Sequence, residues 1–150
     1  MNVNVAFLSS DVGRLFRKRF AASARQFGVT GPQWRALAAI QRVPGTTQGA
    51  LAAWLEVEAI TAGRMIDRLE KLGLVERRDD PADRRRWQLY LTPNAEDLMQ
   101  RMSGCARQVL DDAVAGFAPD EQAQLLALLD RVRANLSDET PPAETKQSHG

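Results

Sequence analysis

The sequence predicts a mainly α-helical fold that carries one small β-hairpin wing, and three observations predict it. Apolar residues recur at steps of three and four over most of the chain, the spacing that gives a helix one buried stripe. That rhythm breaks once, at "LVERRDDPADRRRWQLYLT" (residues 74–92), where two short β-prone runs flank a polar turn. Directly before it stand two short helical segments joined by a tight turn. Two short helices and then a hairpin is the winged helix-turn-helix layout.

Each element has its own signature. Leu8, Val12, Leu15, Phe16, Phe20, Ala24 and Phe27 form one stripe, so a first helix is expected over about 7–27, with Gly28 closing it. Thr30 reads as the cap of a second helix, because Gln33 follows three residues on and Pro32 sits in the first turn, where its missing N–H is harmless. That helix carries Trp34, Leu37, Ala38 and Ile40 and stops at Pro44-Gly45. A third covers "QGALAAWL" after Thr46/Thr47, and a fourth runs from about 58 to 72, ended by Gly73.

"LVERR" and "RWQLYL" are the strands of the hairpin. Thr92 caps a long fifth helix that Pro93 opens, with Ala95, Leu98, Met99, Met102, Cys105, Val109, Leu110, Ala113 and Phe117 on its apolar row. Pro119-Asp120-Glu121 starts a sixth, bearing Leu125, Leu128, Leu129, Val132 and Leu136. The tail, 137–150, has almost nothing to bury and is expected to be disordered. The expected organisation is one domain, 1–136, with the winged helix-turn-helix at about 30–92.

A chain of 150 residues fits one domain with a real core. Its single cysteine excludes an intramolecular disulfide framework and suits a reducing compartment. No apolar run is long enough to span a bilayer, and "MNVNVAFLSSDVGR" lacks a basic region ahead of its apolar stretch. A cytoplasmic protein with no membrane partner is expected. Net charge is only +1, but residues 1–92 hold 15 Lys/Arg against 9 Asp/Glu, whereas residues 93–150 hold 5 against 10. The basic part is the one suited to a polyanion.

In the fourth helix, Thr61, Arg64, Arg68 and Lys71 fall along one face, while Ala62, Met65, Ile66, Leu69 and Leu72 fall on the other. Arg can donate two hydrogen bonds to guanine O6 and N7, and Thr can pair polar edges or touch a thymine methyl. Thr61 and Arg64, near the helix start, are therefore candidates for bases, and Arg68 and Lys71 for phosphates. Ala62 and Gly63 keep the first turns slim for a close approach to a groove. The plain alternative is a solvated face, with Asp67 pairing to Arg64 or Lys71.

The hairpin shifts the balance toward DNA. Arg84, Arg85 and Arg86 stand side by side at its tip, where strand alternation would send Arg85 one way and its neighbours the other. Such a tip can straddle a phosphate backbone and place one guanidinium in a narrow A·T-rich minor groove. Asp80 and Asp83 are positioned to hold an arginine by a bidentate pair.

With these residues in hand, the sequence resembles the multiple-antibiotic-resistance regulator (MarR) family over about Leu8 to Leu136. "LVERRDDPADRRRWQLYLT" matches the family's wing pattern, and "TQGALAAWLEVEAITAGRMIDRLEKLGLV" its helix-turn-helix. The resemblance implies a homodimer joined through the helices at about 7–27 and 93–136, and a sequence-specific regulator, usually a repressor, on double-stranded DNA. It places Arg64 at the recognition-helix arginine, Arg85 at the minor-groove arginine and Asp83 at the acid that braces the wing. It also implies release by a small aromatic or anionic effector.

Two departures stand out. Ala95 replaces the family's glycine after Leu-Thr and should firm the helix start, and Gly31-Pro32 opens the second helix in place of an aromatic or polar residue. Arg14, Arg17 and Trp34 are the candidates for an effector cleft, although first-helix arginines more often lie at the surface and tryptophans in the core. No cysteine stands near the start of the first helix, which argues against thiol sensing, and Cys105 falls on an apolar row. One Cys and one His, His149, cannot assemble a zinc set, so no metal or other cofactor is expected. No nucleophile has a histidine beside it and no phosphate-binding glycine loop occurs, so an enzyme is not expected. The rival readings are an architectural DNA-binding protein and a winged-helix protein-interaction module.

Overall fold

The computed structural model of the chain describes residues 3–137. The tail expected to be disordered lies, from residue 138 on, outside the described residues, as does His149. In chain order the elements are α1 (Val5–Arg25), α2 (Gly31–Arg42), β1 (Thr46–Thr47), α3 (Gln48–Leu55), α4 (Ala59–Lys71), β2 (Val75–Asp79), β3 (Trp87–Leu91), α5 (Pro93–Ala113) and α6 (Pro119–Leu136). The chain divides into two compact units, with the break between Asp111 and Asp112.

The first unit is organised around α2. Its expected capping box is present: Thr30 Oγ1 accepts the Gln33 N–H at 3.2 Å, and Gln33 Oε1 accepts the Thr30 N–H at 3.0 Å. With its first turn tied down, α2 buries Trp34, Ala36, Leu37 and Ile40, which meet Leu51 and Leu55 of α3, Ile66 and Leu69 of α4, Leu89 of β3 and Met102 of α5 in one core. α1 begins earlier than expected because Asn4 Oδ1 accepts the Phe7 N–H at 2.9 Å and so caps the helix. α1 and α2 approach closely through Gly31, where a Cβ would stand 2.8 Å from Ala21 Cβ and 3.2 Å from Ala21 Cα. That contact is the physical reason for a glycine at this position.

The wing is a three-stranded antiparallel sheet of order β1-β3-β2, one strand more than the expected hairpin. Thr46 pairs with Leu89 and Thr47 with Gln88. Two residues carry no alternation, so nothing in the local pattern announces β1. The register of β2 on β3 sets Val75 opposite Leu91 and Arg77 opposite Leu89. Because sides alternate along a strand, Arg77 shares the inner face with the buried Val75.

Two expectations about faces are corrected. Leu72 was placed on the buried side of the fourth helix, yet it caps the C-terminus of α4 and lies exposed, since the chain turns away at Gly73. On α5, Ala95, Leu98, Met102 and Val109 are buried and Cys105 half-buried, but Leu110 is exposed. Leu8, Val12 and Leu15 of α1 are exposed. In the second unit, α6 has no buried residue, and Leu125, Leu128 and Leu129 are exposed.

Candidate nucleic-acid interface

α4 is held at its start by α3. Gln48, the first residue of α3, donates from Nε2 to the Ala59 carbonyl at 3.4 Å, and a Cβ on Gly63 would stand 2.9 Å from that same nitrogen. Gly63 therefore makes room for Gln48 and does not slim the helix toward a groove, which corrects the expectation. Glu56, at φ 57°, is the left-handed residue that turns α3 into α4. Ala62, Ile66 and Leu69 are buried, so Thr61, Arg64, Arg68 and Lys71 are exposed along the outer side, as the helical spacing requires.

Across the sheet, Arg77 grips the helix from one flank. Its Nη2 lies 2.7 Å from Asp67 Oδ1 and its Nη1 3.3 Å from Glu70 Oε1, with the Arg77 side chain only 18% exposed. The surface network anticipated between Asp67 and Arg64 or Lys71 does not form; Asp67 is engaged by the wing. Among the described residues, Arg64, Arg68, Lys71, Arg84 and Arg85 form no ion pair. Arg78 is occupied differently: it lies over the Tyr90 ring at 4.1 Å and against Glu76 at 3.3 Å. The hydrogen bond it donates to Glu76 raises its pKa above the ordinary arginine value.

The tip departs from the sequence reading. Arg84, Arg85 and Arg86 lie in a turn between β2 and β3, not in a strand, so alternation does not assign their directions. The turn is built by its acids. Asp80 Oδ1 accepts the Ala82 N–H at 2.9 Å, Asp83 Oδ1 accepts the Arg85 N–H at 3.0 Å, and the Asp83 carbonyl accepts the Arg86 N–H at 3.1 Å. Asp83 Oδ2 stands 3.6 Å from Arg86 Nε, a single long contact and not a bidentate pair. The acids thus brace the backbone and leave the guanidinium groups of Arg84 and Arg85 to other partners. Arg85 and Arg86 line a groove of about 490 Å³ with Thr47, Gln48, Gly49 and Ala50, so this side of the tip borders the start of α3.

A second cavity, of about 580 Å³, is walled mainly by apolar groups of α1, α2, α3 and α5. Arg17 and Trp34 line it, as does Gly31; Arg14 does not, and instead pairs with Asp11 at 2.8 Å. Trp34 is both core and wall, packed edge-on against Phe20 with centroids 5.3 Å apart. Arg35 and Trp54 also line the cavity, with the Arg35 guanidinium 5.6 Å from the Trp54 ring centroid. Sequence reasoning missed both, because the spacing within α2 and within α3 does not indicate which of their residues face each other. Among the described residues no group of three or more His, Cys, Asp or Glu is placed to hold a metal ion, and no helix is long and apolar enough to cross a membrane.

Known proteins share this architecture. Residues 27–86 match the model of the MarR family. A putative transcriptional regulatory protein for the hcr operon of Thauera aromatica is 30% identical over 142 residues, covering 89% of this chain and 85% of that protein. A MarR-family regulator from Silicibacter pomeroyi superimposes with a TM-score of 0.78 at 27% identity, over 91% of this chain and 92% of the other. A MarR regulator from Methanosarcina mazei Go1, 22% identical, has the same fold with a TM-score of 0.79, over 87% of this chain and 94% of the other. The wing, the helix pair before it and these likenesses lead to one conclusion: the chain belongs to the MarR family of winged-helix, DNA-binding transcriptional regulators.

Proposed function

We propose that this regulator binds a pseudo-palindromic operator as a homodimer and acts as a repressor. In this reading Thr61 and Arg64 meet base edges in the major groove, while Arg68 and Lys71 hold phosphates. At the wing, Arg84 and Arg86 flank the backbone, Arg85 enters the minor groove, and Asp83 keeps the tip in shape. The observation that carries it is the contrast among the basic side chains. Arg77 and Arg78 are engaged within the sheet and its neighbours, whereas Arg64, Arg68, Lys71, Arg84 and Arg85 have no acidic partner among the described residues. A duplex supplies the missing anions, and release of its counterions favours the complex.

Residues 30–92 are assigned to DNA binding, and α1, α5 and α6 to the dimer. The exposed apolar side chains of α1 and α6 suit burial against a second copy. Two-fold symmetry then sets the half-sites about 10 bp apart. The cavity beside Arg17 and Trp34 is assigned to a small aromatic or anionic effector whose binding releases the DNA, the apolar walls taking the ring and the arginine the charge.

The decisive experiment selects genomic fragments bound by the protein and compares them with scrambled duplexes at physiological salt. A specific regulator prefers the selected DNA by roughly a thousandfold or more. Equal binding to both would mean an architectural protein, and binding to neither an interaction module; each outcome overturns the proposal. A stable monomer at micromolar concentration in sedimentation would overturn the dimer.

A further inference from the structure

We propose that Ile60 is a specificity-determining residue, its side chain meeting the C5-methyl group of a thymine in the major groove. The inference rests on the reading of α4 as the helix that enters that groove. Ile60 is the second residue of α4 and is 71% exposed; among the described residues, only Leu136 leaves a larger fraction of a large apolar side chain in solvent. At about 100° per residue, Ile60, Arg64 and Lys71 fall within about 40° of one another, nearly opposite the buried Ala62, Ile66 and Leu69. Thr61 lies roughly 60° further round, on the flank. The outermost line of α4 is therefore isoleucine first, then arginine one turn on.

Nothing in the fold of the chain calls for isoleucine there. It belongs neither to the buried core nor to the half-buried residues packed against it, and a β-branched side chain is a mediocre helix former. The exposed apolar residues of α1 and α6 come in stripes, the form a helix-to-helix contact takes, whereas Ile60 stands as the lone large apolar side chain on a charged line with Arg64, Lys71 and Asp67, the last of these already paired to Arg77. That setting selects the occupant. Arg64 and Lys71, without acidic partners among the described residues, draw a polyanion to the same line. In the major groove of a duplex the thymine methyl is the apolar group that a side chain can touch. A branched aliphatic side chain beside Arg64 thus reads a thymine close to the base that the arginine meets.

The experiment removes that methyl group and nothing else. From a random duplex library the wild-type protein selects its preferred site, and each thymine of one half-site is replaced in turn by deoxyuridine. Binding of every duplex is measured for wild type, Ile60→Ala and Arg64→Ala. The expected result is one thymine whose replacement weakens wild type about fourfold, the worth of one buried methyl group, and leaves Ile60→Ala unaffected. If every replacement costs the two proteins the same, Ile60 touches no thymine methyl and the proposal is overturned. Failure of the underlying reading looks different: Arg64→Ala would then bind the selected site as tightly as wild type. Ile60 is exposed, so Ile60→Ala should melt with wild type, and a shared melting temperature confirms that the comparison reports contact and not folding.

Discussion

Arg77 Nη2 lies 2.7 Å from Asp67 Oδ1, and this pair ties the inner face of the wing to a flank of α4. The two elements assigned to DNA therefore cannot shift independently without separating a charge from its partner. Glu70, 3.3 Å from the same guanidinium, makes the tie two-pronged. Both carboxylates are more than 40% exposed, which screens the attraction, so the contact acts more through geometry than through stability.

Arg77→Met keeps the aliphatic stem and removes the tie. We expect a loss of about 1 kcal/mol in stability, shrinking as salt rises, and weaker binding to operator DNA. The slope of log affinity against log salt should not change, because Arg77 meets no phosphate. Thermal melts and anisotropy titrations at several salt concentrations check this, and a changed slope would place Arg77 on the DNA.

The exposed arginines should divide into two kinds. Arg68→Ala and Arg84→Ala should weaken binding to all sequences alike and lower the salt slope by about 1 each. Arg64→Ala should cost about 1–3 kcal/mol on the preferred site and relax choice at one base position. Arg85→Ala should cost most where the contacted minor groove is A·T-rich. Titrations on the selected site and its single-base variants separate the two patterns.

Gly31→Ala should destabilise. The added Cβ would stand 2.8 Å from Ala21 Cβ and 3.2 Å from Ala21 Cα, so the backbone of α1 must move. Overpacking of this kind costs about 1–3 kcal/mol. Ala21→Gly in the same chain should recover part of that loss, since it removes the nearer contact and leaves the one to Cα. Denaturant unfolding of the single and double variants measures both.

Gly63→Ala should have the opposite sign. Its Cβ would meet only the end of the Gln48 side chain, which can swing aside at the cost of a long hydrogen bond to Ala59. Alanine is favoured over glycine inside a helix by about 1 kcal/mol, so a net gain of about 0.5 kcal/mol is expected. A lower melting temperature would mean that Gln48 cannot move and that α3 sets the start of α4 rigidly.

Much of this was legible in the residues. Thr30 with Gln33, Pro93 after Thr92, and the glycines at 28 and 73 announced helix boundaries through bonds that span three or four positions. The cationic face of α4 followed from spacing alone. The inward turn of Arg77 did not. Leu74 and Val75 are both apolar, so the alternation in "LVERRD" can be read in either phase, and only pairing with Leu89 and Leu91 chooses between them. Arg84 to Arg86 were misplaced in a strand because β3 begins at Trp87, after an acid-braced turn whose hydrogen bonds the residue pattern does not disclose.

By itself, then, the chain's order of residues determined where helices start and stop and which of their sides are charged, since those outcomes depend on neighbours within one turn. The tertiary structure decided that Thr46 and Thr47 become a third strand, that Gly63 yields to Gln48, and that Arg77 holds α4 while Arg64, Arg68, Arg84 and Arg85 form no ion pair among the described residues. Each of these is a contact between elements whose partners are set by packing, and no local periodicity encodes it.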